Sequence, residues 1–144
     1  MAEPGKIYVG LDIGGTKLAA GLVDESGRVY CQLKTPTLAE QGGPAVLERG
    51  LGLVEQVIAE GRQQGMINLA GIGLGAAGRI DVYNGTVAGS TGLIPGWTGL
   101  ALTAAFEEKF GLPCRADNDV NAVALAEQRF GAGHDEVVLV PGVG

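Results

Sequence analysis

Asp12, Thr16 and Lys17, arranged around the pair Gly14-Gly15, are the residues best suited to holding a phosphate. Glycines let backbone N–H groups approach an anion with no Cβ in the way, Thr16 adds a hydroxyl donor, and Lys17 adds a positive charge. Asp12 is placed to hold Mg²⁺ directly or through water, because hard cations take oxygen ligands. A second cluster, Asp117-Asn118-Asp119-Val120-Asn121, gathers four carboxylate or amide side chains in one short stretch. Capping of a helix N-terminus accounts for one of them, or two. The rest combine donors and acceptors as adjacent sugar hydroxyls require, and a carboxylate there can take the proton of an attacking hydroxyl. The plainer alternatives are a hairpin with a glycine turn for the first segment and an over-polar helix cap for the second.

A third segment, Gly73-Leu74-Gly75-Ala76-Ala77-Gly78-Arg79-Ile80-Asp81, leaves an apolar run through glycines. Ligands in open α/β sheets sit beyond the carboxyl ends of strands, where Gly75 to Gly78 would lie. The segment fits G-x-G-x-x-G, but a hairpin follows it and not a helix, which counts against a dinucleotide site. The first glycine turn joins two strands, and the chain contains no G-x-x-x-x-G-K-[ST], so a Walker loop is excluded.

The elements that must position these groups are legible from apolar runs. Lys6–Ile13, Leu18–Val23 and Arg28–Lys34 read as strands, the last two joined by the compact turn Asp24-Glu25-Ser26-Gly27. Pro44 starts a helix whose buried face is Leu47, Leu51, Val54 and Ile58. Gly50 and Gly52 weaken that helix, so close helix–sheet packing is the expected reason for both. Leu69–Gly75 is apolar throughout, as a central parallel strand is. Asn84-Gly85 signals a two-residue hairpin. Thr98–Phe110 reads as a helix ending at Gly111, Leu112–Ala116 as a strand with Cys114 buried at its end, Asp119–Phe130 as a helix, and Glu136–Val140 as a strand. The class is α/β, with a mixed sheet in the order β-β-β-α-β-α-β-α.

At 144 residues one core is expected, and the 26 glycines are more than twice the ordinary share of ~7%. A net charge of −6 with no basic cluster argues against nucleic acid as a partner. Neither a signal peptide nor an apolar run of ~20 residues occurs, so no membrane association and a cytoplasmic location are expected. Cys31 and Cys114 are too few for a disulfide framework or a thiolate zinc site in this chain.

Taken together, the three segments resemble the ROK family, the bacterial sugar kinases and sugar-responsive repressors of the actin/hexokinase/Hsp70 superfamily. Leu11-Asp12-Ile13-Gly14-Gly15-Thr16-Lys17 is similar to the family's first phosphate loop, and the Gly73–Asp81 segment to G-x-G-x-P-G-x-[VI]-D, with Ala77 where proline is usual. Pro95-Gly96-Trp97 resembles the end of N-L-P-G-W, and Asp117–Ala122 resembles E-N-D-x-N-A. The asparagine expected before Leu-Pro-Gly-Trp is replaced by Gly92-Leu93-Ile94.

The resemblance implies a ribonuclease H-like, actin-like ATPase lobe and a glucokinase-like activity using ATP and Mg²⁺. It implies Asp119 as general base for the sugar 6-hydroxyl, Asn118 and Gly78 as sugar contacts, and Asp12, Gly14, Gly15, Thr16 and Lys17 facing the nucleotide phosphates and Mg²⁺. Residues 1–134 would be the sugar-side lobe and 135–144 the start of a second lobe, where any structural Zn²⁺ belongs. A hexose partner follows from the same likeness, and a homo-oligomer is expected because the strand-like Val137–Val140 end would leave an unpaired edge or apolar face. One lobe alone equally describes a non-catalytic sugar-binding module. A sugar-responsive regulator would place a helix-turn-helix before a phosphate loop that here begins within the first dozen residues. An acetate- or glycerol-kinase relative would leave the Asp117–Ala122 and Pro-Gly-Trp segments unexplained.

Overall fold

The computed structural model describes residues 5–66, 68–90 and 92–118. Three consecutive strands, β1 (Ile7–Ile13), β2 (Lys17–Asp24) and β3 (Val29–Pro36), form an antiparallel meander. A short 3₁₀ turn (Ala39–Gln41) leads into helix α1 (Gly43–Gln63). Then follow β4 (Leu69–Ala76), a small two-stranded ribbon of β5 (Arg79–Asp81) and β6 (Thr86–Gly89), helix α2 (Leu102–Phe110) and β7 (Cys114–Asp117). The main sheet runs β3-β2-β1-β4-β7, with β4 parallel to both β1 and β7. This is the mixed α/β sheet that the sequence predicts. The helix expected at Asp119–Phe130, the strand at Glu136–Val140 and the lobe boundary near residue 134 lie outside the described residues.

Register sorts the side chains into two sets. Val9, Leu11 and Ile13 align with Leu22, Ala20 and Leu18 on one side, and with Ile72, Leu74 and Ala76 on the other. All are buried in one core with the apolar stripe of α1 and with Leu102 and Phe106 of α2. The alternate positions carry Gly10, Gly21, Gly71, Gly73 and Gly75, together with Tyr8, Asp12, Ala19 and Val23. Strand neighbours share a face, so one side of the sheet is rich in branched aliphatics and the other in glycine.

In α1, Leu51, Val54 and Ile58 are buried as expected and Leu47 packs against the core at its margin. Gly50 is closely packed: a Cβ there would stand 3.2 Å from Leu11 Cδ2 and 3.6 Å from the Phe106 ring. Gly52 has no such reason, since a Cβ there would meet nothing within 4 Å. The packing expectation holds for Gly50 and fails for Gly52.

Three further boundaries differ from the sequence reading. The ribbon turn is not two residues, because Asp81 pairs with Thr86 and leaves Val82–Gly85 as the loop. The Asp81 carboxylate explains the change. It accepts the N–H groups of Tyr83 (3.0 Å) and Asn84 (3.2 Å) and the Asn84 side-chain amide (2.9 Å). Those donors, Asn84's backbone N–H first, hold the carboxyl below the usual carboxylate range. Helix α2 begins at Leu102 and not at Thr98, because Gly99 and Ala101 are drawn into contact with β6. Cys114 is buried and its thiol is pushed up by that burial, but it opens β7 instead of ending it.

Beyond Asp24 the turn to β3 is held by one carboxylate, which takes the hydroxyls of Ser26 (2.5 Å) and Tyr30 (2.9 Å) and two backbone N–H groups. Opposite Gly21 of β2, strand β3 places two residues, Cys31 and Gln32, so the register shifts by one. Cys31 takes a positive φ of 56° there. Among the described residues no helix is long and apolar enough to cross a membrane.

Candidate functional site

The glycine turn follows directly from β1 and returns into β2. Gly14 donates its N–H to the Lys17 carbonyl at 3.0 Å, closing the turn, and a Cβ on Gly14 would stand 3.1 Å from that oxygen. Among the described residues no protein acceptor lies on the N–H groups of Gly15 and Thr16. Thr16 and Lys17 are exposed and Asp12 is half-buried. The turn therefore presents two backbone donors, a hydroxyl and an ammonium toward solvent, as an anion cradle requires.

Thr37 steadies this loop, and nothing in its sequence context announces it. Its side chain is fully buried. Its Oγ1 donates to the Gly14 carbonyl at 2.7 Å, and its N–H donates to the Thr16 carbonyl at 2.9 Å. The Thr37 carbonyl in turn accepts from the Arg49 guanidinium, which also reaches Gln41. Thr37→Val keeps the shape and removes the hydroxyl, so it is expected to lower stability by about 1–3 kcal/mol in urea denaturation. Thr37→Ser should recover most of that loss; equal loss in both variants would assign the effect to packing.

Register brings the other segments to the same end of the sheet. Asp12 pairs with Gly75, and Gly75 pairs with Asp117. Two carboxylate residues thus flank a glycine on three neighbouring parallel strands, their Cα atoms about 10 Å apart at the usual strand spacing. Asn118 follows Asp117 immediately and is exposed, its N–H bonded to Asp117 Oδ1 at 2.7 Å. Gly78 lies just past β4, with φ at 95°. Gly78, Arg79, Gly89, Ser90 and Asn118 line an open pocket of about 380 Å³. Asp119 lies outside the described residues.

The Pro95-Gly96-Trp97 loop buttresses this end from below. Trp97 is 1% exposed and donates its indole N–H to the Ala77 carbonyl at 2.8 Å, one residue before Gly78. Gly43, the first residue of α1, donates to the Pro95 carbonyl at 2.6 Å. The Gly92-Leu93-Ile94 replacement puts Leu93, 65% exposed, beside the glycine turn, with its Cδ1 3.6 Å from where a Cβ on Gly15 would be. A larger cleft of about 450 Å³ lies between α1 and α2, lined by Leu69 at the start of β4. It opens at the amino end of the parallel strands, opposite to where α/β sheets bind ligands.

This arrangement has counterparts. Residues 8–141 match the ROK family. The glucokinase of Streptomyces coelicolor is 34% identical over 136 residues, which cover 93% of this chain and 40% of that protein. The crystal structure of a ROK family glucokinase from Streptomyces griseus, in complex with glucose and AMPPNP, shares 35% identity at a TM-score of 0.68 and covers 90% of this chain and 38% of that one. A ROK family transcriptional regulator, a homologue of the E. coli MLC protein, gives a TM-score of 0.71 at 23% identity over 97% of this chain and 38% of that one. That last likeness is one of fold. The chain spans about two fifths of the length of these relatives. Because the match takes in the glycine turn, the Gly78 loop and the Asn118 corner alike, the chain belongs to the ROK family.

Proposed function

We propose that this chain supplies the sugar-side lobe, residues 1–134, of an ATP-dependent hexose kinase, with residues 135–144 opening a second lobe. One observation carries this reading: the anion cradle after β1 and the hydroxyl-binding corner after β7 stand at the same end of strands joined in register through Gly75. Transfer of a phosphoryl group needs donor and acceptor held that way, since positioning and charge neutralisation provide most of the acceleration. The relative solved with glucose and AMPPNP supports the same pairing of ligands.

In this reading the N–H groups of Gly15 and Thr16, the Thr16 hydroxyl and the Lys17 ammonium face the nucleotide phosphates. Gly14 closes the turn, its own N–H being engaged by Lys17. The Asp12 carboxylate, an oxygen donor beside that cradle, suits Mg²⁺, which supplies charge neutralisation when bound with the nucleotide. Gly78 and Asn118 hold the hexose, whose 6-hydroxyl loses its proton to Asp119.

The 144-residue chain by itself is expected to bind hexose weakly and to turn nothing over, because the site of such kinases is closed between two lobes. Calorimetric titration with glucose tests the first part, and a coupled ADP-release assay tests the second. Absence of hexose binding would remove the sugar reading. Turnover above about 1 s⁻¹, within the ordinary enzyme range, would show that one lobe is enough.

A further inference from the structure

Arg79 carries a charge into the pocket for which neither the fold nor the proposed reaction accounts. It opens β5 and pairs with Gly89 of β6. Its side chain lies across that glycine: a Cβ at position 89 would stand 3.3 Å from Arg79 Nη2 and 3.5 Å from Cζ. The missing side chain at position 89 leaves room for the guanidinium to lie at the pocket's edge, and Arg79 is exposed there. Its one hydrogen bond among the described residues is long, 3.5 Å from Nη2 to the Ala88 carbonyl. Among the described residues no carboxylate pairs with it.

Among the described residues, the others lining the pocket, Gly78, Gly89, Ser90 and Asn118, are uncharged. A guanidinium has five N–H donors, no acceptor and a permanent charge. It rewards a ligand that offers oxygen acceptors and repels one that brings a cation.

We propose that Arg79 is a specificity residue of the hexose site: it favours sugars whose ring substituents are hydroxyls or carbonyl-bearing groups and excludes sugars carrying an ammonium. The proposal rests on the reading of this pocket as the hexose site and adds the substrate class that the site accepts. Asp81, on the same strand, is engaged by Tyr83 and Asn84. Charges elsewhere in the chain act equally on wild type and on an Arg79 variant, so the comparison isolates the guanidinium.

The chain contains a single tryptophan, whose indole is bonded to the residue before Gly78, so its emission is a probe to be read beside calorimetry. The test titrates the 144-residue chain with glucose and with protonated glucosamine at low salt, by Trp97 emission and by calorimetry. The wild type should prefer glucose. Arg79→Gln should raise glucosamine affinity relative to glucose by about three- to tenfold, a gain that shrinks as salt rises. Arg79→Lys, which keeps the charge, should behave as wild type. If both sugars bind and Arg79→Gln leaves their ratio unmoved, Arg79 is not the discriminator and the hexose site stands. If neither method detects either sugar, the hexose site itself is refuted, and this proposal with it.

Discussion

Asp119→Asn, in the kinase to which this lobe is proposed to belong, is expected to lower kcat by about 10²–10⁴-fold, the range that general-base catalysis contributes. Asparagine keeps the size of the side chain and can still hydrogen-bond a sugar hydroxyl, but it cannot take a proton. The hexose KM should therefore change little while kcat collapses, the pattern of an interaction made in the transition state. Near-normal turnover in the variant would take Asp119 out of the role and leave Asp117, in register with Gly75 and Asp12, as the carboxylate to examine.

Gly78→Ala combines two penalties at the residue proposed to approach the sugar. Its φ of 95° lies where an L side chain is disfavoured, at a cost of about 1–2 kcal/mol. A Cβ there would also stand 2.7 Å from the Gly89 carbonyl oxygen, a backbone atom that cannot swing aside. Gly99 supplies the comparison, because it has a φ of 92° and a Cβ there would meet nothing within 4 Å. Gly99→Ala should show the conformational cost alone in urea denaturation, and Gly78→Ala should exceed it. Hexose affinity should fall about tenfold or more in Gly78→Ala, equivalent to roughly 1.4 kcal/mol, and stay near wild type in Gly99→Ala. Equal losses in the two variants would mean that the contact with Gly89 is readily relieved.

Much of this architecture is written locally. The alternation of Val9, Leu11 and Ile13, the unbroken apolar run of β4 and the stripe Leu51, Val54, Ile58 each state their own period, so strands and helix are visible without knowledge of their neighbours. Gly111 ends α2 as expected. What the local pattern misses depends on partners distant in the chain. The first N–H groups of α2, on Leu102 and Thr103, are both accepted by the Gly85 carbonyl, 2.9 and 3.2 Å away, and no side chain caps the helix. A cap drawn from the preceding ribbon leaves no local signature, so the residues alone point to a start at Thr98.

The same holds at the site. Gly14, Gly15 and Gly78 stand out by composition, whereas the clamp from Thr37 is set by how β3 turns back toward β1. Arg79 is visible as a residue, but its place depends on facing Gly89 across the ribbon. The alignment of Asp12, Gly75 and Asp117 likewise belongs to the sheet register and to no single segment.

The break in β3 opposite Gly21 bears on how the protein behaves when crowded. Among the described residues β3 is the outer strand on its side of the sheet, so its outward N–H and C=O groups are a template on which another chain could build. A newcomer would find that row out of step at Cys31 and Gln32, an ammonium at Lys34, and no donor at all from Pro36. Each feature is a known way of blunting a sheet margin. Fibre growth by strand addition would require this margin to be straightened first, which gives the folded protein a built-in resistance to aggregation along β3.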